Sequence, residues 1–364
     1  MGKKYKLGVI GFAHMHVLTL MAEFAELPNV EWVACADTKA AVPSLSDEPG
    51  TRGTNMQRAV ESIGIPKVYE DYQDMLQNED LDIVIVCCEN VKHGEVVTEV
   101  ARAGAHIVVE KPMATTYADA LRMAKAAQHN NVSLAVNWPS TWKPANRRAQ
   151  EMVADGAIGE VWKFKYANSF SLGPFEWGQK LTDVEKAVEW WHQKIMGGGA
   201  FLDYCSYGAC LSRWFIGQAA VGAYGLAANF FSTYGDAEDN GLVMVRFPKA
   251  VAILEGSWTT PHFGVSNGPI VYGSEATLVC DGAGPGTVYI YKKGTDTPDT
   301  YEGGALPEGR DNIAKEFIHH LETGEPLHPT LDLPVNLDAM AILDAGLRSA
   351  TSAQFEMAKN EVWS

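Results

Sequence analysis

The chain has 364 residues, 46% hydrophobic and 20% charged, a globular composition too long for one ordinary core. A formal net charge of −16, with no Lys/Arg-rich stretch, excludes electrostatic attraction to nucleic acid. Six cysteines, at 35, 87, 88, 205, 210 and 280, form no C-x-x-C pair and sit mostly in apolar runs, so buried thiols in a reducing compartment are expected.

Lys3, Lys4 and Lys6 precede an apolar segment, Leu7 to Ala22, that superficially resembles a signal peptide. His14 and His16 interrupt it, and no convincing small-residue cleavage site follows, so a cytoplasmic protein is expected. No later run reaches the roughly 20 apolar residues of a membrane span. KLGVIG reads as a strand, Val17 to Glu26 as a helix and VEWVACAD as a second strand. After a Pro/Gly/Ser-rich excursion from Pro43 to Gly53 come a helix (QRAVESIG), a short strand (PKVY) and a helix (DYQDMLQ). The strand LDIVIVCC, the helix EVVTEVARAG and the strand HIVVEK follow, then a helix opened by Thr116 and Asp119 and the strand SLAVNW. Near-continuous apolar strands alternating with helices predict an α/β fold, a doubly wound parallel Rossmann sheet over residues 1–138.

From residue 139 the pattern changes. One helix (ANRRAQEMVADG) precedes the alternating strand VWKFKYANSF, and a second helix spans roughly Ala200 to Phe215. LVMVRFP, AVAILEGSW, PIVYGSEATLVCD and TVYIYKK read as strands joined by Gly/Pro/Asn turns, with helices near Asn312–Leu321 and Asn336–Ala353. Residues 139–364 are thus expected to form an α+β domain with a large, mostly antiparallel open sheet for substrate binding and oligomerisation.

Three strand ends carry candidate chemistry. After strand one, the turn Gly11-Phe12-Ala13-His14-Met15-His16 stands where a dinucleotide fingerprint puts its glycines, although only the first is present. Asp37 ends the next strand, where a carboxylate can bind ribose hydroxyls and repel a 2′-phosphate; NAD is favoured, while Thr38 and Lys39 keep NADP possible. The H-x-H pair also resembles the start of a metal-dependent amidohydrolase, but such an enzyme needs further histidines on later barrel strands, so no metal is expected. Cys88, Glu89, Asn90 and His93 follow the fourth predicted strand and face the cofactor crevice; His93 could equally be a helix-start residue with a structural hydrogen bond. Glu110 and Lys111 end the fifth, where a partly buried lysine could transfer a proton. Asn137 and Trp142, just past the last Rossmann strand, are candidates for lining a substrate pocket.

The ordered set of Gly turn, Asp37, E-N-x-x-H, E-K-P and G-G-G-A-F-L-D-x-x-x-Y resembles the glucose–fructose oxidoreductase/inositol dehydrogenase (Gfo/Idh/MocA) family, along nearly the whole chain. The resemblance implies an NAD(P)-dependent enzyme acting on a sugar- or polyol-like substrate, and a homodimer or homotetramer formed through the exposed sheet face. It implies that Lys111 is catalytic and that Asp203 and Tyr207, one helical turn apart, point into the substrate site. Tyr207 stands where dehydrogenase members usually have histidine and is similar to the tyrosine-bearing branches, so it becomes the expected proton-transfer group, its pKa lowered by the Lys111 ammonium. Glu89 stands where many members have proline. The alternatives are a non-catalytic NAD(P)-binding sensor, which would not need Lys111, Asp203 and Tyr207, and the metal hydrolase.

Overall fold

The computed structural model describes residues 3–168, 172–261, 266–281 and 286–358. Its first sheet is built from β1 (Tyr5–Ile10), β2 (Val30–Ala36), β3 (Lys67–Tyr69), β4 (Ile83–Val86), β5 (His106–Glu110) and β6 (Leu134–Asn137). They lie in the order β3-β2-β1-β4-β5-β6, with every pair parallel. The connecting helices are α1 (His16–Ala25), α2 (Arg52–Ile63), α3 (Tyr72–Asn78), α4 (His93–Arg102) and α5 (Tyr117–His129). Every residue of β4 and β6 is buried, as a sheet covered on both faces demands. Thr116 caps α5 by accepting the Asp119 N–H, so that sequence signal is a working cap. The strand order reverses between β1 and β4, and the β1–α1 and β4–α4 turns flank the crevice where this architecture binds dinucleotides.

The second sheet follows α6 (Pro144–Ala154) and opens with β7 (Val161–Asn168); Ser169 and Phe170, assigned to that strand from the sequence, lie outside the described residues. Two short helices, α7 (Pro174–Trp177) and α8 (Asp183–Val188), lead to a wide π-type turn at Phe201–Cys205 and then α9 (Ser206–Ile216). The remaining strands are β8 (Gly222–Ala228), β9 (Asn240–Arg246), β10 (Val251–Ser257), β11 (Ile270–Gly273), β12 (Ala276–Asp281), β13 (Thr287–Lys292) and β14 (Asp299–Glu302). The helices α10 (Ile313–Thr323) and α11 (Leu333–Ser352) and the short strand β15 (Glu356–Met357) complete the described fold. The sheet runs β14-β13-β12-β11-β7-β10-β9-β8-β15, antiparallel except where β7 pairs with β10.

Two features depart from the sequence reading. β8 escapes it because GAYGLAA lacks the β-branched and aromatic residues that mark strands. The small residues are there for α11: a Cβ on Gly225 would lie 2.0 Å from the Gly346 carbonyl oxygen. In addition, α10 and the residues after it return to the first sheet. Ile313, Ala314, Phe317, Leu327 and Leu331 share one core cluster with Val17, Leu20 and Phe24 of α1, and the Val136 N–H donates to the Leu331 carbonyl at 3.0 Å.

Candidate active site

The β1–α1 turn is shaped by close packing. Gly11 has φ +92°, and a Cβ there would sit 2.5 Å from the Cys88 nitrogen, so only glycine fits. Cys88 is buried beneath it. The N–H groups of Phe12 and Thr38 donate to Asp37 Oδ1 at 3.0 and 2.8 Å, which fixes the carboxylate beside the turn. Burial pushes the Asp37 pKa up despite these bonds and Arg52.

Arg52, not anticipated, ties the region together. It donates to Asp37 Oδ2 at 3.2 Å, to the Thr38 carbonyl and to Glu89 Oε1, both at 2.5 Å. Glu89, 1% exposed, also accepts from the Thr38 hydroxyl and pairs with Lys92. It is thus an internal counter-ion for Arg52 and Lys92, whereas the sequence suggested a cofactor contact. His93 is likewise structural: it is fully buried, with Nδ1 against the Pro112 carbonyl and Nε2 against that of Cys88. Lys39 accepts a hydrogen bond from the Lys92 ammonium through its backbone carbonyl.

Lys111, 2% exposed, donates from Nζ to Asp203 Oδ1 at 2.5 Å and to the Asp203 carbonyl at 3.3 Å. Trp258 Nε1 donates to Asp203 Oδ2 at 3.1 Å, so both carboxylate oxygens are held. Burial alone would lower the Lys111 pKa, but Asp203 and Glu110 keep it above its ordinary value. Tyr207 is buried one turn beyond Asp203, its ring packed edge-on against Trp138 and the Lys111 ammonium 4.9 Å from its centroid. Burial, then Glu110 and Asp203, push its pKa well above 10, which corrects the expectation that the ammonium lowers it.

Glu110 is fully buried, accepting from Asn137 at 2.8 Å on Oε2 and lying 2.9 Å from His16 Nδ1 through Oε1. Burial favours a higher pKa, yet the His16 charge and hydrogen bond hold it at about 2. Asn137 therefore positions Glu110. Trp142 does not line the cleft: its ring lies 5.1 Å from the Arg147 guanidinium and packs against the first-domain core. Among the described residues one group could hold a metal ion, His14, His16 and Glu110, whose ligand atoms lie within 4.8 Å of one another. The sequence reading looked for later histidines and so missed the carboxylate.

A narrow cleft opens beside this cluster, lined by Ala13, His14, Met15, Asn90 and Asp203 with four tryptophans, 177, 190, 191 and 258. Its roof is a strap, residues 174–199, hydrogen-bonded to the first domain. Trp190 Nε1 donates to the Ala13 carbonyl at 2.9 Å, Asn90 Nδ2 to the Gly197 carbonyl at 2.8 Å and Ser44 Oγ to Glu189 Oε1 at 2.6 Å. The glycine run makes the close approach possible: a Cβ on Gly197 would lie 2.4 Å from Thr115 and one on Gly198 2.3 Å from the Trp191 carbonyl. The E-W-W-H run at 189–192 was the available sign of this wall.

Residues 7–138 match the family described as the Gfo/Idh/MocA oxidoreductase family with an NAD-binding Rossmann fold, and residues 146–279 its C-terminal domain. The chain is 23% identical to myo-inositol 2-dehydrogenase of Thermotoga maritima over 329 residues, 88% of this chain and 89% of that protein. It superposes on aldose–aldose oxidoreductase of Caulobacter crescentus, solved with glycerol, with a TM-score of 0.75 and 22% identity over 98% of this chain and 100% of that one. Levoglucosan dehydrogenase, solved with NADH and levoglucosan, gives a TM-score of 0.75 at 20% identity over 98% and 100% of the two chains. These structural likenesses establish a shared fold.

Proposed function

From its membership of the Gfo/Idh/MocA oxidoreductase family, we propose that this enzyme exchanges a hydride with a CH–OH or carbonyl carbon of a neutral sugar, polyol or related hydroxylated molecule. The nicotinamide cofactor, when bound, supplies or accepts the hydride. The β1–α1 turn and Asp37 suit its dinucleotide part, because Gly11 leaves no Cβ in the way and Asp37 is held at the end of β2. NAD is the favoured form, since the Asp37 carboxylate opposes a 2′-phosphate while Arg52 offsets part of that repulsion.

The observation that carries the reading is the buried Lys111–Asp203 pair beside the tryptophan-walled cleft. In reduction the Lys111 ammonium gives its proton to the substrate carbonyl oxygen and is reprotonated from solvent. In oxidation the same nitrogen must first release its proton before it accepts that of the hydroxyl. Asp203 holds the amine in place and Tyr207 supplies the aromatic face beneath it. The indole walls suit the C–H faces of a sugar ring.

No helix of the described residues is long and apolar enough to cross a membrane. A cytoplasmic setting accords with the six free, buried cysteines. An oligomer formed through the second sheet accords with its apolar outer face, where Tyr224, Leu226 and Met244 are exposed. The direct test is absorbance of reduced nicotinamide with a panel of polyols, aldoses and anhydrosugars, beside thermal shifts with NAD and NADP. Cofactor binding without turnover on any member would favour a sensor and remove the dehydrogenase reading.

A further inference from the structure

His14 lines the cleft with Asp203, yet its outer ring nitrogen meets no acceptor among the described residues. The inner nitrogen, Nδ1, accepts the backbone N–H of His16 at 3.2 Å. A ring nitrogen that accepts carries no proton, so the neutral imidazole keeps its hydrogen on Nε2. The ring is therefore an uncharged donor through Nε2.

We propose that His14 is a catalytic residue whose Nε2–H donates to the substrate oxygen that exchanges its proton with Lys111. The role rests on the dehydrogenase reading above. As reduction proceeds, that oxygen gains negative charge before it takes the proton, and a fixed donor stabilises it most at that stage. A neutral donor suits this place better than a second cation would. The cleft already holds one tightly matched lysine–carboxylate pair, and another cation would compete with Lys111 for Asp203. The pyrophosphate of a dinucleotide can use the backbone N–H groups at the start of α1, which leaves the side chain for the substrate.

The same hydrogen bond argues against a metal on His14 Nε2. That ligand would need its remaining hydrogen on Nδ1, which already faces the His16 N–H.

Long-range proton–nitrogen NMR of the 15N-histidine-labelled protein reads the tautomer directly, with His14→Gln giving the assignment. A neutral Nε2–H ring at pH 8, unmoved by zinc ions, is expected. An Nδ1–H tautomer, or loss of the Nε2 hydrogen on adding zinc, would overturn the role. In kinetics, His14→Ala is expected to lower kcat on the order of 100-fold, as for loss of one oxyanion donor, with cofactor Kd within threefold. His14→Gln, which retains an N–H donor, should recover at least tenfold of that loss. An unimpaired alanine variant, a glutamine variant no better than alanine, or cofactor affinity that falls as far as kcat would each sink the role alone. A wild type inactive on the whole substrate panel would instead remove the dehydrogenase reading, and this role with it.

Discussion

Lys111 and Asp203 lie 92 positions apart and end within hydrogen-bonding distance, so substituting Asp203 strands a buried ammonium and substituting Lys111 leaves a half-buried carboxylate without its cation. Lys111→Ala is expected to lower turnover by about two orders of magnitude or more. Cofactor affinity should persist because Gly11 and Asp37 are untouched, and steady-state rates beside a binding titration check both halves. Tyr207→Phe should cost less than about tenfold in kcat, since the lysine meets the ring and the hydroxyl is pushed away from ionisation. A hundredfold loss would return the proton to the tyrosine. The ribose role proposed for Asp37 predicts that Asp37→Ala shifts relative affinity from NAD towards NADP by freeing Arg52 for a phosphate. Equal affinities for the two cofactors in the unsubstituted enzyme would remove Asp37 from that role. His192 is a different case: it is caged by Phe175, Tyr234 and Trp258, neither ring nitrogen has a partner among the described residues, and burial drives its pKa down to about 4. The unfolded chain, titrating near 6.5, binds this proton first, so the stability that neutral His192 contributes is full above that pH and drains away as pH falls towards 4. His192→Phe should flatten the dependence of Tm on pH between 7 and 4, and melts across that range decide it. Of these residues, Lys111, Asp203 and Tyr207 were readable because short motifs carry them. Arg52, Trp258 and His192 were not, because each gains its meaning only from partners remote in the chain.

The first sheet was legible strand by strand, because burial on both faces writes long apolar runs such as IVIV in β4. The second sheet was legible only where its strands alternate. β8 was hidden by the glycines and alanines that admit α11, and the strap by having no period at all: α7 and α8 span only four and six residues. The outer face of β8 and β9 carries Tyr224 at 47%, Leu226 at 64% and Met244 at 48% exposure, a contiguous apolar patch that an isolated chain would leave wet. Pairing with a second copy would bury it. The oligomer proposed through this face predicts that Leu226→Glu combined with Met244→Glu yields a monomer with its fold intact. Sedimentation velocity reads the mass and circular dichroism the fold; a wild type that sediments as a monomer removes this face from consideration.

Across the whole molecule, the division at residue 138 follows the change of pattern along the chain but not the packing. The strap reaches from the second half over the cofactor turn, and α10 lies on the first half's core. Neither connection leaves a periodic signature, since each depends on which surfaces meet and not on local propensity. The return of α10 also governs the order in which the protein can be made. Until Ile313 and Phe317 are in place, the core cluster they share with Val17, Leu20 and Phe24 of α1 is incomplete. The bond from Val136 to Leu331 closes only when nearly two hundred further residues have been added. The core of the first 138 residues is thus completed only once α10 and the residues after it are in place.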